Sequence, residues 1–229
     1  YALLQAGNAW STADYRNDAL KTIGDIRTLL GVSHQGRMYL LPGFFGFDLD
    51  EDLILNPSYL IFPAFRAFSR VDQSEFWDKV RRDGLELIER SCFGSLCLPT
   101  DWVVLAGDRV DPAPGKDPYF GAGAIRVLLA LSSEDPSRFP RGVPALLDQY
   151  RRTGSLPLWI DLEKESASLK PAFAGFYAIY SLAAAKLGDQ ALSKKLLSEA
   201  KEKLKSEKDA YYSFSLYLLA TAGRKAEKD

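Results

Sequence analysis

Carboxylates in close series are the first residues of this chain whose types and spacing could do chemistry. Asp48-Leu49-Asp50-Glu51-Asp52 alternates acids in the way that brings oxygens together on a hard cation such as calcium. A calcium loop needs Gly at its sixth position for the sharp turn and a bidentate Glu at its twelfth, where this chain has Leu53 and Tyr59. The run therefore reads as an exposed acidic hairpin tip. Asp108, Asp111 and Asp117 crowd a loop-rich stretch further on, and each is by default a solvated loop acid. Cys92 and Cys97 bracket Phe93-Gly94-Ser95-Leu96 at a spacing open to a small loop disulfide or to two buried thiols. His34 is the only histidine, so a zinc shell has no second imidazole; no metal and no cofactor is expected.

A second set of chemistry-bearing residues is aromatic. Trp102, Trp159, Tyr119, Tyr177, Tyr211 and Tyr212 fall near segment ends or in loops, where a ring face can be presented to a ligand. Flat rings suit the apolar C–H faces of a pyranose, with hydroxyls going to nearby Asp, Asn and Arg. Taken without a family, core packing is the default role for any one of them, and ligand stacking the alternative.

These residues need a scaffold, and the hydrophobic spacing gives a mostly helical one. Ser11 with Asp14 predicts a capping box for a helix running through Leu20, Ile23 and Ile26 to Gly31. Asn56-Pro57 predicts an N-cap with Pro at the first helical position, launching a helix through Tyr59 and Phe65 to Phe68. Ser74 opens a helix with Trp77, Val80, Gly84, Leu87 and Ile88 on one stripe, and further helices are expected near 122–132, 136–153, 171–187, 189–205 and 209–222. That makes about nine helices by the same reading. Short extended pieces are expected at Arg37 to Leu41 and Leu53 to Leu55, flanking the acidic tip, and at Trp102 to Leu105 and Leu158 to Leu162. Antiparallel helix pairs separated by long loops point to hairpins packed around an axis rather than to a plain bundle.

Bulk properties narrow the function classes. With 29 basic and 30 acidic residues the net charge is −1, which leaves no surplus positive field for nucleic acid or anionic lipid. No apolar run approaches the roughly 18 to 20 residues of a membrane-spanning helix, so neither nucleic acid nor membrane insertion is expected. Lys194 to Lys208 is the solvated face of a helix that turns Leu196, Leu197, Ala200 and Leu204 inward.

Several runs then become recognisable. Leu55-Asn56-Pro57-Ser58-Tyr59, preceded by Tyr39-Leu40-Leu41-Pro42-Gly43, resembles the L-N-P-S-Y element of glycoside hydrolase family 8. Leu98-Pro99-Thr100-Asp101-Trp102 is similar to that family's P-D-W strand, and Pro112-Ala113-Pro114-Gly115 to the loop after it. Phe120-Gly121-Ala122-Gly123-Ala124-Ile125-Arg126-Val127 resembles the F-G-Y-D-A-I-R-V segment, and Leu156 to Asp161 and Asp209 to Ser213 match two later landmarks. The resemblance covers nearly the whole chain, in order.

It implies an all-α fold, an incomplete (α/α) six-hairpin toroid with short β-hairpins in its loops, forming a single domain over 1–229. Tyr1 to Gly7 resembles a helix well inside a family member, so roughly the first three helices of the family would precede Tyr1. The implied activity is that of an inverting endo-β-1,4-glucanase, a cellulase, acting in polysaccharide degradation. The implied partner is a β-glucan polysaccharide or oligosaccharide, the location periplasmic or secreted, and the setting a cellulose synthase complex.

Substrate-binding roles carry over to Asn56, Tyr59, Asp101, Trp102, Arg126, Tyr211 and Tyr212. The departures are in the machinery. Where the family has its general base, this chain has Gly123, and the general acid belongs to an S-E-G element that these residues do not contain. An inverting glycosidase needs two carboxyls about 6.5–9.5 Å apart across the sugar. No catalytic residue is secure on this reading, and Asp117 is the first candidate for a replacement base. A non-catalytic glucan-binding or interaction module built on the same scaffold is the alternative. A helical-repeat scaffold for protein partners is disfavoured by the absence of a tandem repeat.

Overall fold

A computed structural model describes residues 1–208 and 210–225, without the side chains of 223–225. The expected landmark at Asp209 lies outside the described residues. Nine α-helices and three small antiparallel sheets are present among them, and the chain divides into two compact units.

The first unit holds Tyr1–Arg90 and Trp102–Pro114. It begins with α1 (Ala2–Trp10) packed on α2 (Ala13–Leu30). The junction differs from the capping box that Ser11 and Asp14 suggest. Ser11 is the left-handed C-cap of α1, at φ 53°, and Thr12 takes the N-cap position of α2 without a side-chain bond. A residue that must close one helix in the left-handed region cannot also reach forward to cap the next. Gly31 ends α2, as its position in the pattern predicts.

β1 (Gly31–His34) and β2 (Arg37–Leu40) form a hairpin of their own, so β2 does not frame the acidic tip. That tip is instead the turn between β3 (Asp48–Leu49) and β4 (Asp52–Leu55), which starts a meander continued by β5 (Val103–Ala106) and β6 (Arg109–Pro112). Leu53 and Leu55 on β4, with Val103 and Leu105 on β5, are buried at period two.

Asn56-Pro57 caps only a short 3-10 turn, Pro57–Tyr59, before α3 (Phe62–Phe68) starts separately with Pro63 in its first turn. α4 (Ser74–Arg90) buries Trp77, Val80, Gly84, Leu87 and Ile88 along the expected stripe. Its buried Asp83 accepts the β2 N–H of Met38 at 2.7 Å, which fastens the hairpin to the helix. Hydrogen-bonded burial of this kind avoids the penalty of an unsatisfied carboxylate.

The second unit holds Ser91–Asp101 and the chain from Gly115 on. Its axis is α7 (Ala174–Lys186), apolar on every side and buried from Ala174 to Ala184. Around it pack α5 (Ile125–Leu131), α6 (Val143–Thr153), α8 (Gln190–Leu204) and α9 (Tyr211–Lys225). A helix buried all round must be apolar all round. Expected helices at 122–132 and 136–153 shorten for local reasons: Gly121 to Ala124 form a turn before α5, and Pro136–Arg138 is a 3-10 turn separated from α6 by Pro140 to Gly142.

β7 (Tyr119–Phe120), β8 (Ile160–Asp161) and β9 (Ser166–Ala167) make a three-stranded sheet. Cys92 and Cys97 are joined in a disulfide that closes the tight turn left open by their spacing.

Candidate active site

The second unit brings its expected site residues to one place. Pairing of β7 with β8 sets Tyr119 opposite Asp161 and Phe120 opposite Ile160. Continuing that register puts Gly121 against Trp159, where an added Cβ would lie 3.5 Å from the Trp159 Cβ. The Tyr119 and Trp159 rings stack, centroids 4.6 Å apart and planes within 9°. Such a pair presents a flat, half-exposed apolar surface. Asp161, on the strand paired with Tyr119, accepts the N–H groups of Lys164 at 2.9 Å and Glu163 at 3.1 Å. The Lys164 N–H, against burial, and then that of Glu163 hold its carboxyl below the usual carboxylate range. Asp161 is thereby engaged in its own turn.

Asp101 joins the same edge. Its backbone N–H donates to the carbonyl of Tyr119, and its carboxylate accepts the N–H groups of Gly123 at 3.2 Å and Ala124 at 2.6 Å. The carboxylate thus closes the turn that leads into α5. Arg126, one turn on, donates through Nε to the carbonyl of Gly123 at 3.4 Å. From the far side comes Tyr212 in the first turn of α9, whose hydroxyl donates to the carbonyl of Ala122. α9 can come this close because Gly175 has no side chain: a Cβ there would stand 2.9 Å from the Ser213 Cα. Burial raises the Tyr212 phenol above its ordinary value; the Arg126 guanidinium opposes that shift and the Asp101 carboxylate adds to it. Asp101, Arg126 and Tyr212 therefore share one electrostatic neighbourhood around Gly123, beside the stacked rings. Tyr211, its neighbour on α9, is 86% exposed.

Three expected residues lie in the first unit. Asn56 is buried, and its side-chain oxygen accepts both the N–H and the hydroxyl of Ser58. That oxygen caps the turn that Asn56-Pro57 opens. Trp102 stacks on Phe47 at 5.8 Å with planes 5° apart, and meets the ring of Tyr59 edge-on at 6.0 Å. Phe47 was not singled out in the sequence. The signal that marks it is the aromatic cluster Phe44-Phe45-Gly46-Phe47, whose first two rings the structure leaves exposed.

Tyr177, expected near a segment end, is core instead: it is 1% exposed within α7, and its hydroxyl accepts the N–H of Leu156. Of the loop acids, Asp108 pairs with Arg37 at 3.1 Å and Arg90 at 3.5 Å, and Asp111 with Arg109 at 3.6 Å. Asp117 is exposed on the segment leading to β7. A pocket lined by Ser95, Gln149, Asp161 and Glu165 exists in the second unit, but none of the expected site residues lines it.

A stacked ring pair beside an anchored carboxylate offers the flat apolar face and polar groups that sugar-binding surfaces combine. The comparisons then fix the family. The profile described as Glycosyl hydrolases family 8 matches residues 1–225, and the chain belongs to that family.

An endoglucanase of Cellulomonas uda is 32% identical over 184 residues, 80% of this chain and 51% of that protein. A probable endoglucanase of Novacetimonas hansenii is 30% identical over 186 residues, 78% of this chain and 53% of that one. The chain thus spans about half the length of the curated relatives it matches. Among solved structures, endoglucanase Cel10 from Klebsiella pneumoniae, a family 8 glycosyl hydrolase, superposes with a TM-score of 0.81 at 29% identity, over 99% of this chain and 69% of that one. Endo-beta-1,4-glucanase CMCax from Acetobacter xylinum gives 0.81 at 27% identity, over 100% and 69%. The mostly helical fold with small sheets is therefore the family's own.

Proposed function

We propose that this chain carries a β-1,4-glucan-binding surface of an inverting endoglucanase, with cellulose-type chains as the ligand. The observation that carries the reading is the Tyr119–Trp159 stack beside Asp101, Arg126 and Tyr212, in a chain whose family match runs almost end to end. A pyranose laid on the ring pair would turn its equatorial hydroxyls toward Asp101 and Arg126, while its C–H face covers apolar area that water solvates poorly. Tyr211 would add an exposed ring, and Tyr59 and Trp102 would bind sugar in the same manner from their own cluster. The reading extends to the six-hairpin plan of the α/α toroid, with these residues as part of one such domain.

A periplasmic or secreted location is supported by the Cys92–Cys97 disulfide, since such bonds persist in oxidising compartments. Work beside a cellulose synthase complex belongs to the same proposal, by likeness to relatives from cellulose-associated branches.

A second reading has its own observation. Position 123 is Gly, which offers no carboxylate where the family resemblance sets the base, and this favours a module that binds glucan without cutting it. Reducing-end release from a soluble β-1,4-glucan separates the two. Endoglucanase function predicts release that rises with protein concentration, together with a fall in viscosity; binding of the same glucan with no release at all would leave only the binding module.

A further inference from the structure

Gly123 does more than lack a side chain. A Cβ built on it would stand 2.6 Å from the Asp101 Cγ and 2.7 and 2.8 Å from its two carboxylate oxygens. The Asp101 carboxylate thus fills the volume in which any side chain at 123 would leave the backbone. In this chain the Asp101 carboxylate lies in the space that glycine at 123 leaves empty.

That carboxylate has what a water-activating base requires. It is fixed, held by the N–H groups of Gly123 and Ala124, so little reorganisation is needed to use it. It is half-exposed, beside the exposed Ala122, so solvent reaches it. Its surroundings carry a guanidinium, Arg126, and a phenol, Tyr212, both of which can orient a water or a sugar hydroxyl. The sugar-stacking rings of Tyr119 and Trp159 stand on the strand edge that its own N–H is bonded to.

We propose that Asp101 is the general base of this chain, its carboxylate standing in the slot that Gly123 leaves open. The inference rests on the endoglucanase reading above. In the step it assigns, a water oxygen forms a bond to the anomeric carbon while the bond from that carbon to the leaving group breaks, and the water's proton passes to the Asp101 carboxylate. With β-cellobiosyl fluoride the leaving group departs as fluoride and takes no proton, so this substrate isolates the base from any acid.

The test measures turnover of β-cellobiosyl fluoride by the unmodified chain and by Asp101→Asn and Asp101→Ala, with circular dichroism on each. Asn keeps the side-chain shape and one of the two acceptor oxygens, so it removes the base while still accepting one of the two N–H bonds, and circular dichroism reports whether the fold is retained. The expected result is a kcat about 10²-fold lower or more in Asp101→Asn, with KM within about threefold. Added azide should restore turnover to Asp101→Ala by forming its own bond to the anomeric carbon as fluoride leaves, giving α-cellobiosyl azide; a purely structural aspartate would show no such rescue.

Asp101→Asn turning over within about threefold of the unmodified chain overturns the assignment. Absence of azide rescue in a folded Asp101→Ala does so too, as does loss of turnover in Asp117→Asn with Asp101→Asn still active. If the unmodified chain leaves the fluoride intact yet still binds cellohexaose, the endoglucanase reading itself fails, and this inference falls with it.

Discussion

Gly123→Asp is expected to destabilise the protein by about 3 kcal/mol and to leave its hydrolytic activity no higher than before. Writing the family's residue back into the segment would look like a repair, but the geometry makes it a collision. The new Cβ would enter within 2.8 Å of all three atoms of the Asp101 carboxylate group. Asp101 must then swing away, which strips the acceptor from the N–H groups of Gly123 and Ala124. Loss of a capping acceptor costs about 1 kcal/mol, and overpacking at a close contact about 1–3 kcal/mol, with two like charges in one turn adding to both.

Urea unfolding followed by circular dichroism reads this directly. The same substitution made on top of Asp101→Ala should cost little more, because the obstructing carboxylate is gone; the coupling between the two positions should exceed about 1 kcal/mol. Equal stability of Gly123→Asp and the unmodified chain would show that the two side-chain volumes do not compete.

Trp159→Ala is expected to weaken cellohexaose binding by tenfold or more, about 1.5 kcal/mol, measured by calorimetric titration. The ring contributes one whole face of the Tyr119–Trp159 platform, and Tyr119 alone would lose the partner that fixes its plane. Ring pairing is worth about 0.5–1.5 kcal/mol beyond buried area, so a modest fall in stability should accompany the loss of affinity. Trp159→Phe retains a flat face and should recover part of the binding. Unchanged affinity in Trp159→Ala would remove the ring pair from the sugar-binding surface.

Much of the scaffold was legible because helices declare themselves within a few residues. The stripe on α4 from Trp77 to Ile88 is a 3.6-residue pattern, and Gly31 stops α2 where the pattern places it. What stayed hidden depended on partners far away in sequence. Asp101 reaches the 123–124 turn across 22 positions, and nothing in Pro99-Thr100-Asp101 says which turn it will close. The left-handed Ser11 was misread as a cap for α2 because Ser suits both roles and only the backbone decides. Asn56 caps its turn as read, but the turn is a short 3-10 segment and the helix starts anew at Phe62. Family resemblance nominated the candidate residues; only geometry could tell that a missing side chain at 123 and a carboxylate at 101 occupy one space.

The central claim, that the ring pair beside Asp101 takes a β-1,4-glucan, is tested most directly by the four tryptophan indole N–H signals in a nitrogen–proton NMR spectrum during titration with cellohexaose. The account predicts that the Trp159 signal moves saturably, while that of Trp77, buried and donating to Asp72, stays in place. A Trp159 signal that does not move at saturating cellohexaose, or that moves equally with the α-linked maltohexaose, would contradict it.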